Sequence, residues 1–187
     1  MRLFKNTIFT ILITAILLFS CSEPVVKDID FVPDEAQVII MDKTQVVNDD
    51  GDSFHYGEIG IRVLGMDTPE ISHPEHGFFE DQPYGRDAAA MTADIFANAE
   101  EIAYLPFQED RYGRTLAHVF IDGDLLSIKL IRLGLAYETV SHYGDNGFPG
   151  LAERILKAAE ESQVKDFIQP YKWRRDNRQE PDTISVG

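Results

Sequence analysis

The chain has 187 residues and a mass of 21.2 kDa, which is enough for one domain with short extensions. Its 17 Lys and Arg against 32 Asp and Glu give a formal net charge of −15, which excludes a surface that grips nucleic acid through bulk positive charge. A polyanionic substrate must then be held by a few local cations or by a metal ion, and the single cysteine excludes a disulfide framework and a multi-thiolate zinc site.

The N-terminus has the pattern of an export signal. Two basic residues precede an apolar run over residues 8–19, which is too short to span a bilayer comfortably and is typical of a signal peptide. The segment Leu18-Phe19-Ser20-Cys21 resembles the lipobox of bacterial lipoproteins, in which the chain is cut before a cysteine that is then lipidated. The alternative is an ordinary signal peptide with an incidental cysteine. We predict a signal peptide over 1–20, a lipidated Cys21 that anchors the chain in the outer membrane of the cell envelope, and an acidic tether over 21–35.

The following residues predict one domain over 36–175 and a polar tail over 176–187. Apolar alternation and clustering predict strand segments, and Gly57-Glu58 closes a hairpin between two of them: the segments are 37–40, 44–47, 53–56, 59–64, 102–107 and 115–121. Apolar residues three or four apart predict helices over 84–96, 125–135 and 150–161. Short strands in this number favour an α+β fold, a small five-stranded OB-fold-like β-barrel with about three packed α-helices.

Five short motifs follow one another along this domain. They are Asp50-Gly51-Asp52-Ser53, the segment 61–70 (IRVLGMDTPE), Tyr84-Gly85-Arg86-Asp87-Ala88-Ala89, Asp110-Arg111-Tyr112-Gly113-Arg114 and Arg132-Leu133-Gly134-Leu135-Ala136. Each one alone is weak, since an Asp-Gly pair is also a common turn signal. Together and in this order they resemble the staphylococcal-nuclease-like (thermonuclease) family, over about residues 44–163. The resemblance implies hydrolysis of phosphodiester bonds in DNA, RNA or both, with 3′-phosphorylated products.

The same residue types suit phosphodiester chemistry on physical grounds. The transition state gathers negative charge on the phosphate oxygens, and Arg62 and Arg114 can each bind two such oxygens through a permanently charged guanidinium group. Asp52 and Asp67 offer the oxygen ligands that a hard cation such as Ca²⁺ takes. Glu70 follows on a turn stiffened by proline and can orient or deprotonate a water molecule.

The resemblance assigns these roles residue by residue. The implied roles are a Ca²⁺ site of Asp52, Asp67 and the Thr68 carbonyl, a general base at Glu70, phosphate clamps at Arg62 and Arg114, and nucleotide contacts at Tyr112 and Arg111. The first carboxylate has a rival alignment, in which Asp42-Lys43-Thr44 takes the place of Asp52. That alignment puts Lys43 at a metal-ligand position, which is chemically poor, so Asp52 is preferred.

The segments 171–178 and 73–76 can each be interpreted either as a binding site or as an ordinary structural feature. The basic and aromatic segment 171–178 could stack on a nucleic acid strand, and we favour a tail that packs Trp173 on the barrel. The segment 73–76 holds two histidines, but its proline favours a solvated loop over a metal site.

Taken together, the sequence predicts a monomeric, lipid-anchored, Ca²⁺-dependent nuclease, slowed by its acidity and tolerant of salt. The alternative is a non-catalytic module on the same fold that binds nucleic acid or protein.

Overall fold

The computed structural model describes residues 26–33 and 36–179. The predicted signal peptide, Cys21 and residues 180–187 of the predicted tail lie outside this part of the chain. Within it, no helix has both the length and the apolar content that are needed to cross a membrane.

The strands form one main mixed sheet and one small pair. The strands of the main sheet are β1 (Ile39–Ile40), β2 (Val46–Asn48), β3 (Ser53–Tyr56), β4 (Ile59–Val63), β6 (Ile102–Glu109), β7 (Thr115–Ile121) and β8 (Asp124–Leu125), and the pair is β5 (Met66–Asp67) with β9 (Tyr137–Glu138). The order in the main sheet is β1-β6-β7-β4-β3-β2, with β8 also paired to β7. Every pairing is antiparallel except that of β4 with β7. This parallel contact brings the β3–β4 hairpin beside the turn that precedes β7.

The described residues also form five α-helices: α1 (Gly85–Asn98), α2 (Leu126–Arg132), α3 (Val140–Tyr143), α4 (Pro149–Glu160) and α5 (Pro170–Asn177). The core lies between the sheet and the helices. Its largest fully buried side chains include Phe54 and Ile61 from the hairpin, Phe120 from β7, Leu130 from α2 and Ile155 from α4. Burial of apolar side chains of this size, at about 1.5–3 kcal/mol each, is the main term that stabilises such a domain.

The predicted α+β, OB-fold-like class is confirmed, and the details differ where local turns override apolar patterning. The main sheet has seven strands rather than five, because two-residue strands carry no detectable period. The strand expected at 44–47 begins at Val46, because the Asp42 carboxylate accepts a hydrogen bond from the Thr44 amide at 3.0 Å and holds Lys43–Gln45 in a 3₁₀ turn. The helix expected over 125–135 ends at Arg132, before Gly134 with its φ of +71°.

Part of the segment predicted as a tether is docked on the domain. Asp28–Phe31 form a 3₁₀ helix, and the buried Asp28 carboxylate accepts hydrogen bonds from the Leu125 amide at 2.8 Å and from Arg154. The Phe31 ring lies 4.6 Å from the Arg154 guanidinium carbon. A buried carboxylate needs such partners, and these hydrogen bonds hold the 3₁₀ helix against the domain.

Candidate active site

The β3–β4 hairpin places an arginine between two aspartates. Ser53 pairs with Arg62 across the hairpin, so the Arg62 side chain reaches the start of β3. Its Nη1 donates to Asp52 Oδ1, and its Nη2 donates to Asp67 Oδ1 at 2.7 Å. The Asp52 and Asp67 side chains are almost fully buried. One guanidinium group therefore joins Asp52, from the loop before β3, to Asp67 of β5.

The loop before β3 is shaped by close packing against the loop after β5. The Asp50 carboxylate accepts hydrogen bonds from the amides of Asp52 and Ser53, at 2.9 and 2.7 Å. Asp52 Oδ2 accepts one from the Thr68 amide at 2.8 Å. A Cβ atom on Gly51 would lie 2.5 Å from the Thr68 hydroxyl oxygen, so only glycine allows this approach.

Glu70 is held by the start of α1. Its amide donates to Gln82 Oε1 at 3.2 Å, and its carbonyl accepts from the Gln82 amide at 2.8 Å. A Cβ atom on Gly85 would lie 2.1 Å from the same carbonyl oxygen, so the helix can begin here only with glycine. Glu70 is thus fixed beside Asp67 with about a tenth of its side chain exposed.

The turn between β6 and β7 brings a second arginine to the hairpin. Arg114 Nε donates to Asp110 Oδ2 at 2.9 Å, and the Arg114 Nη1 atom lies 3.5 Å from the Ser53 hydroxyl oxygen. Arg62 Nη1 lies at the same distance from this hydroxyl. The Ser53 hydroxyl therefore lies between the guanidinium groups of Arg62 and Arg114, which the sequence predicts to bind the phosphate.

The predicted nucleotide contacts lie on the same turn. The Tyr112 ring is exposed, with the guanidinium carbons of Arg111 and Arg114 at 4.8 and 5.6 Å from its centre. Arg111 Nη2 also donates to the Tyr112 hydroxyl at 2.6 Å. An exposed aromatic ring beside two cations can stack on a base.

Arg174 of α5 is the site residue that sequence reasoning missed. Its Nη1 and Nη2 donate to Asp67 Oδ1 and Oδ2 at 2.9 and 3.0 Å, and its Nη1 also donates to Glu70 Oε1. Trp173, the neighbouring residue, is buried and packs on Phe78 at a ring-centre distance of 5.7 Å. The favoured interpretation of segment 171–178, a tail that packs its tryptophan, agrees with this packing but left Arg174 among the solvated charges.

The structure thus brings the predicted catalytic and metal-site residues into one region. Asp42, the rival of Asp52, lies elsewhere and caps its own 3₁₀ turn.

A family model described as staphylococcal nuclease homologue matches residues 60–166. The chain belongs to this family. Arg62, Asp67, Glu70 and Arg114 lie inside the matched region, whereas Asp52 precedes it.

Individual staphylococcal nuclease homologues agree with this assignment. The chain is 32% identical over 120 residues to a thermonuclease of Staphylococcus intermedius, covering 62% of this chain and 69% of that protein. It is 36% identical over 92 residues to a thermonuclease of Staphylococcus hyicus, covering 46% and 53% of the two chains. It is 34% identical over 94 residues to endonuclease YncB of Bacillus subtilis, covering 46% and 42%. The chain therefore spans about half or less of the last two proteins. These relatives support a nuclease, a hydrolase of phosphodiester bonds.

Burial shifts the pKa values of two carboxyl groups in the site. Burial raises the pKa of Asp52, and the neighbouring Asp50 and Asp67 raise it further against the opposing effect of Arg62. Burial also raises the pKa of Glu70, together with the charge of Asp52. Burial and neighbouring carboxylates thus oppose ionisation of both groups, whereas Arg62 and Arg174 favour it.

The donor set fits a divalent cation in type and charge. Asp52, Asp67 and the Thr68 carbonyl supply hard oxygen ligands, and closely spaced buried carboxylates favour an added positive ion. In the part of the chain that the structure describes, no three acidic, histidine or cysteine side chains converge as a ready-made metal cage. The oxygens of Asp52 and Asp67 are instead engaged by Arg62, Arg174 and the Thr68 amide.

Proposed function

We propose that this staphylococcal nuclease homologue is a Ca²⁺-dependent nuclease that hydrolyses phosphodiester bonds of DNA, RNA or both outside the cytoplasm. One observation carries the proposal: Arg62 and Arg114 both lie 3.5 Å from the Ser53 hydroxyl, beside the buried carboxylates of Asp67 and Glu70. Separated parts of the chain thus supply phosphate-binding cations and a carboxylate base to one pocket.

The two arginines act on the phosphate. The Arg62 guanidinium group is fixed by two aspartates, and Asp52 and Asp67 raise its pKa against the effect of burial, so it stays charged in the pocket. Arg114 is held by Asp110 but keeps about a third of its side chain exposed, which leaves donors free for a ligand. Preorganised donors of this kind stabilise the negative charge that develops on phosphate oxygens in the transition state.

Glu70 is the carboxylate suited to activate water. Its raised pKa makes it a stronger base than an ordinary glutamate, and its backbone bonds to Gln82 fix its position. Asp52, Asp67 and the Thr68 carbonyl would hold the Ca²⁺ ion, which when bound supplies positive charge to the phosphate and to the attacking water. Tyr112 and Arg111 would contact the nucleotide.

A non-catalytic binding module is the second candidate. The observation in its favour is that arginines already engage the carboxylate oxygens to which the cation and the base are assigned. The two candidates share the fold and the phosphate-binding arginines. They differ in turnover and in the need for a divalent ion.

Cleavage of single-stranded DNA by the purified full chain separates these candidates. We expect cleavage with Ca²⁺ and none with a calcium chelator. Glu70→Gln and Arg114→Ala should each lower kcat by at least about 10²-fold, the usual size of the effect of a lost base or transition-state donor. Glu75→Gln and Arg132→Ala are matched controls, because both side chains are exposed and away from the pocket.

Two outcomes would contradict the proposal in different ways. Wild type and variants that bind DNA but are equally inert would establish the binding module. Cleavage that continues unchanged in chelator would refute the role of the cation while leaving the arginines and Glu70 in place.

The proposed location rests on the N-terminal sequence alone. A lipid on Cys21 would anchor the domain in the cell envelope, most simply in the outer membrane. Expression of the full chain in a bacterial host, with fractionation of the wild type and of Cys21→Ser, tests it. Membrane association should be lost in the variant, and retention of both proteins in the membrane would contradict a lipid anchor at Cys21.

A further inference from the structure

Arg174 occupies the space between the carboxylates assigned to the cation and to the base. Its two terminal nitrogens donate separately to the two oxygens of Asp67, at 2.9 and 3.0 Å. One of them also donates to Glu70 Oε1. A planar guanidinium group that binds both oxygens of a carboxylate makes one of the stronger hydrogen-bonded pairs in proteins. Arg174 thereby supplies positive charge where the family resemblance assigns a cation.

A divalent cation at Asp67 competes with Arg174 for the lone pairs of the same two oxygens. Ca²⁺ binds carboxylate oxygens at about 2.3–2.6 Å and claims the lone pairs that face it. Arg174 engages both oxygens of Asp67 from within 3.0 Å. Placing a second positive charge there adds like-charge repulsion in a pocket where burial weakens screening.

Arg174 is better placed to move than Arg62. Arg62 lies on β4, whose two neighbours β3 and β7 hold it within the sheet. Arg174 lies on α5, the last helix of the described chain, and residues 161–169 before it form neither helix nor strand. Within α5 only Pro170 and Trp173 are buried. Hydrogen bonds from Gln82 to the Ile168 carbonyl and from the Gln179 amide to the Gly77 carbonyl hold both flanks of α5, so the movement is confined to the Arg174 side chain and the helix between these two points.

We propose that Arg174 is an internal competitor of the divalent cation. Cation binding at Asp67 displaces its guanidinium group from Asp67 and Glu70 and loosens α5 from the site. The carboxylates are thus neutralised in both states, by Arg174 before the cation binds and by the cation afterwards. This inference rests on the proposed cation-dependent function.

Calorimetric titration of the full chain with Ca²⁺ tests the competition. Arg174→Gln removes the charged hydrogen bonds that the cation must break. Its Kd for Ca²⁺ should therefore be lower than that of the wild type by about tenfold or more, equivalent to about 1.4 kcal/mol. Arg175→Gln is the matched control, because Arg175 is exposed and pairs with its neighbour Asp176, and its Kd should equal that of the wild type.

Each outcome of the titration has a separate meaning. Equal or weaker Ca²⁺ binding by Arg174→Gln would overturn the competition and leave the proposed function intact. Absence of Ca²⁺ binding by both proteins would overturn the cation dependence and this inference with it. Should Arg174→Gln not fold, Arg174→Lys keeps the charge but cannot bind both oxygens of Asp67 through a planar fork, and its Kd should fall by a smaller factor.

Trp173 provides a direct measure of the movement of α5. It is the only tryptophan in the chain, it is buried, and it precedes Arg174. If Ca²⁺ loosens α5, the fluorescence emission of the wild type should shift to longer wavelength, with the midpoint found by calorimetry. An emission spectrum that is unchanged at saturating Ca²⁺ would overturn the release of the helix.

Discussion

His118 makes the stability of the domain depend on pH. It lies in β7 opposite Leu105, is 2% exposed, and packs edge-on against Phe148 at a ring-centre distance of 5.5 Å. Neither ring nitrogen has a hydrogen-bond partner within residues 26–33 and 36–179. Burial disfavours the charged imidazolium and lowers the pKa of His118 from 6.5 to about 4.

The sign of the effect follows from proton binding in the two states. As pH falls, the unfolded chain takes up a proton at this residue near pH 6.5, and the folded chain does so only near pH 4. His118 therefore contributes stability above pH 6.5 that is lost as the pH falls towards 4. At about 1.4 kcal/mol per pH unit the whole interval between the two pKa values is worth about 3.5 kcal/mol, of which about 2 kcal/mol is lost between pH 8 and pH 5.

Urea unfolding of the wild type and of His118→Phe at pH 8 and pH 5 measures this effect. Between these pH values, the free energy of unfolding of the wild type should fall by about 2 kcal/mol more than that of the variant. The active-site carboxylates are present in both proteins, so their own titration cancels in the comparison. His76→Gln, at an exposed histidine, should behave as the wild type does. Parallel pH profiles for the wild type and His118→Phe would refute the argument that the buried ring resists protonation.

Two further substitutions test how the site is positioned and how it holds substrate. Gly85→Ala places a methyl group 2.1 Å from the Glu70 carbonyl oxygen, so the base must shift and kcat for single-stranded DNA should fall by about 10²-fold. A helical circular dichroism spectrum with unchanged kcat would show that the contact relaxes without moving Glu70. Tyr112→Ala should raise KM by about tenfold with little change in kcat, because the exposed ring under Arg111 and Arg114 offers a base about 1–3 kcal/mol of stacking. Tyr112→Phe keeps the ring and should keep the KM, and an equal KM for all three proteins would exclude stacking.

The predictable part of the site depends on local spacing. Asp52, Arg62 and Glu70 lie within one stretch of the chain, where a hairpin closed at Gly57-Glu58 sets the register between Ser53 and Arg62. Clustered apolar residues likewise placed the long strands β6 and β7, since each strand holds a continuous run of buried residues. Signals of this kind act over a few residues, and a linear sequence displays them directly.

The unpredicted part depends on contacts between distant segments. Arg174 meets Asp67 across 107 positions, and in the sequence it looks the same as its exposed neighbour Arg175. Asp28 reaches Leu125 across 97 positions, so a docked 3₁₀ helix looks the same as an acidic tether. β5 and β9 have two residues each, too few to show any period, although their pairing aligns Asp67 with Tyr137. In each case tertiary packing determines which residues meet, and local patterns in a single sequence do not indicate these contacts.

The acidity of the chain affects encounter with substrate more than binding at the site. Arg62 and Arg174 pair with buried carboxylates inside the pocket, whereas Arg111 and Arg114 lie on the turn before β7, around the exposed Tyr112 ring. In physiological salt, charges are screened over about 8–10 Å, so a phosphate beside this turn interacts with these arginines far more than with the net charge of −15. The net charge repels nucleic acid at longer range, and this repulsion weakens as salt is added. Salt therefore weakens both the short-range attraction to the arginines and the long-range repulsion by the whole chain. These two changes have opposite effects on affinity, which is the physical basis for expecting slow but salt-tolerant cleavage.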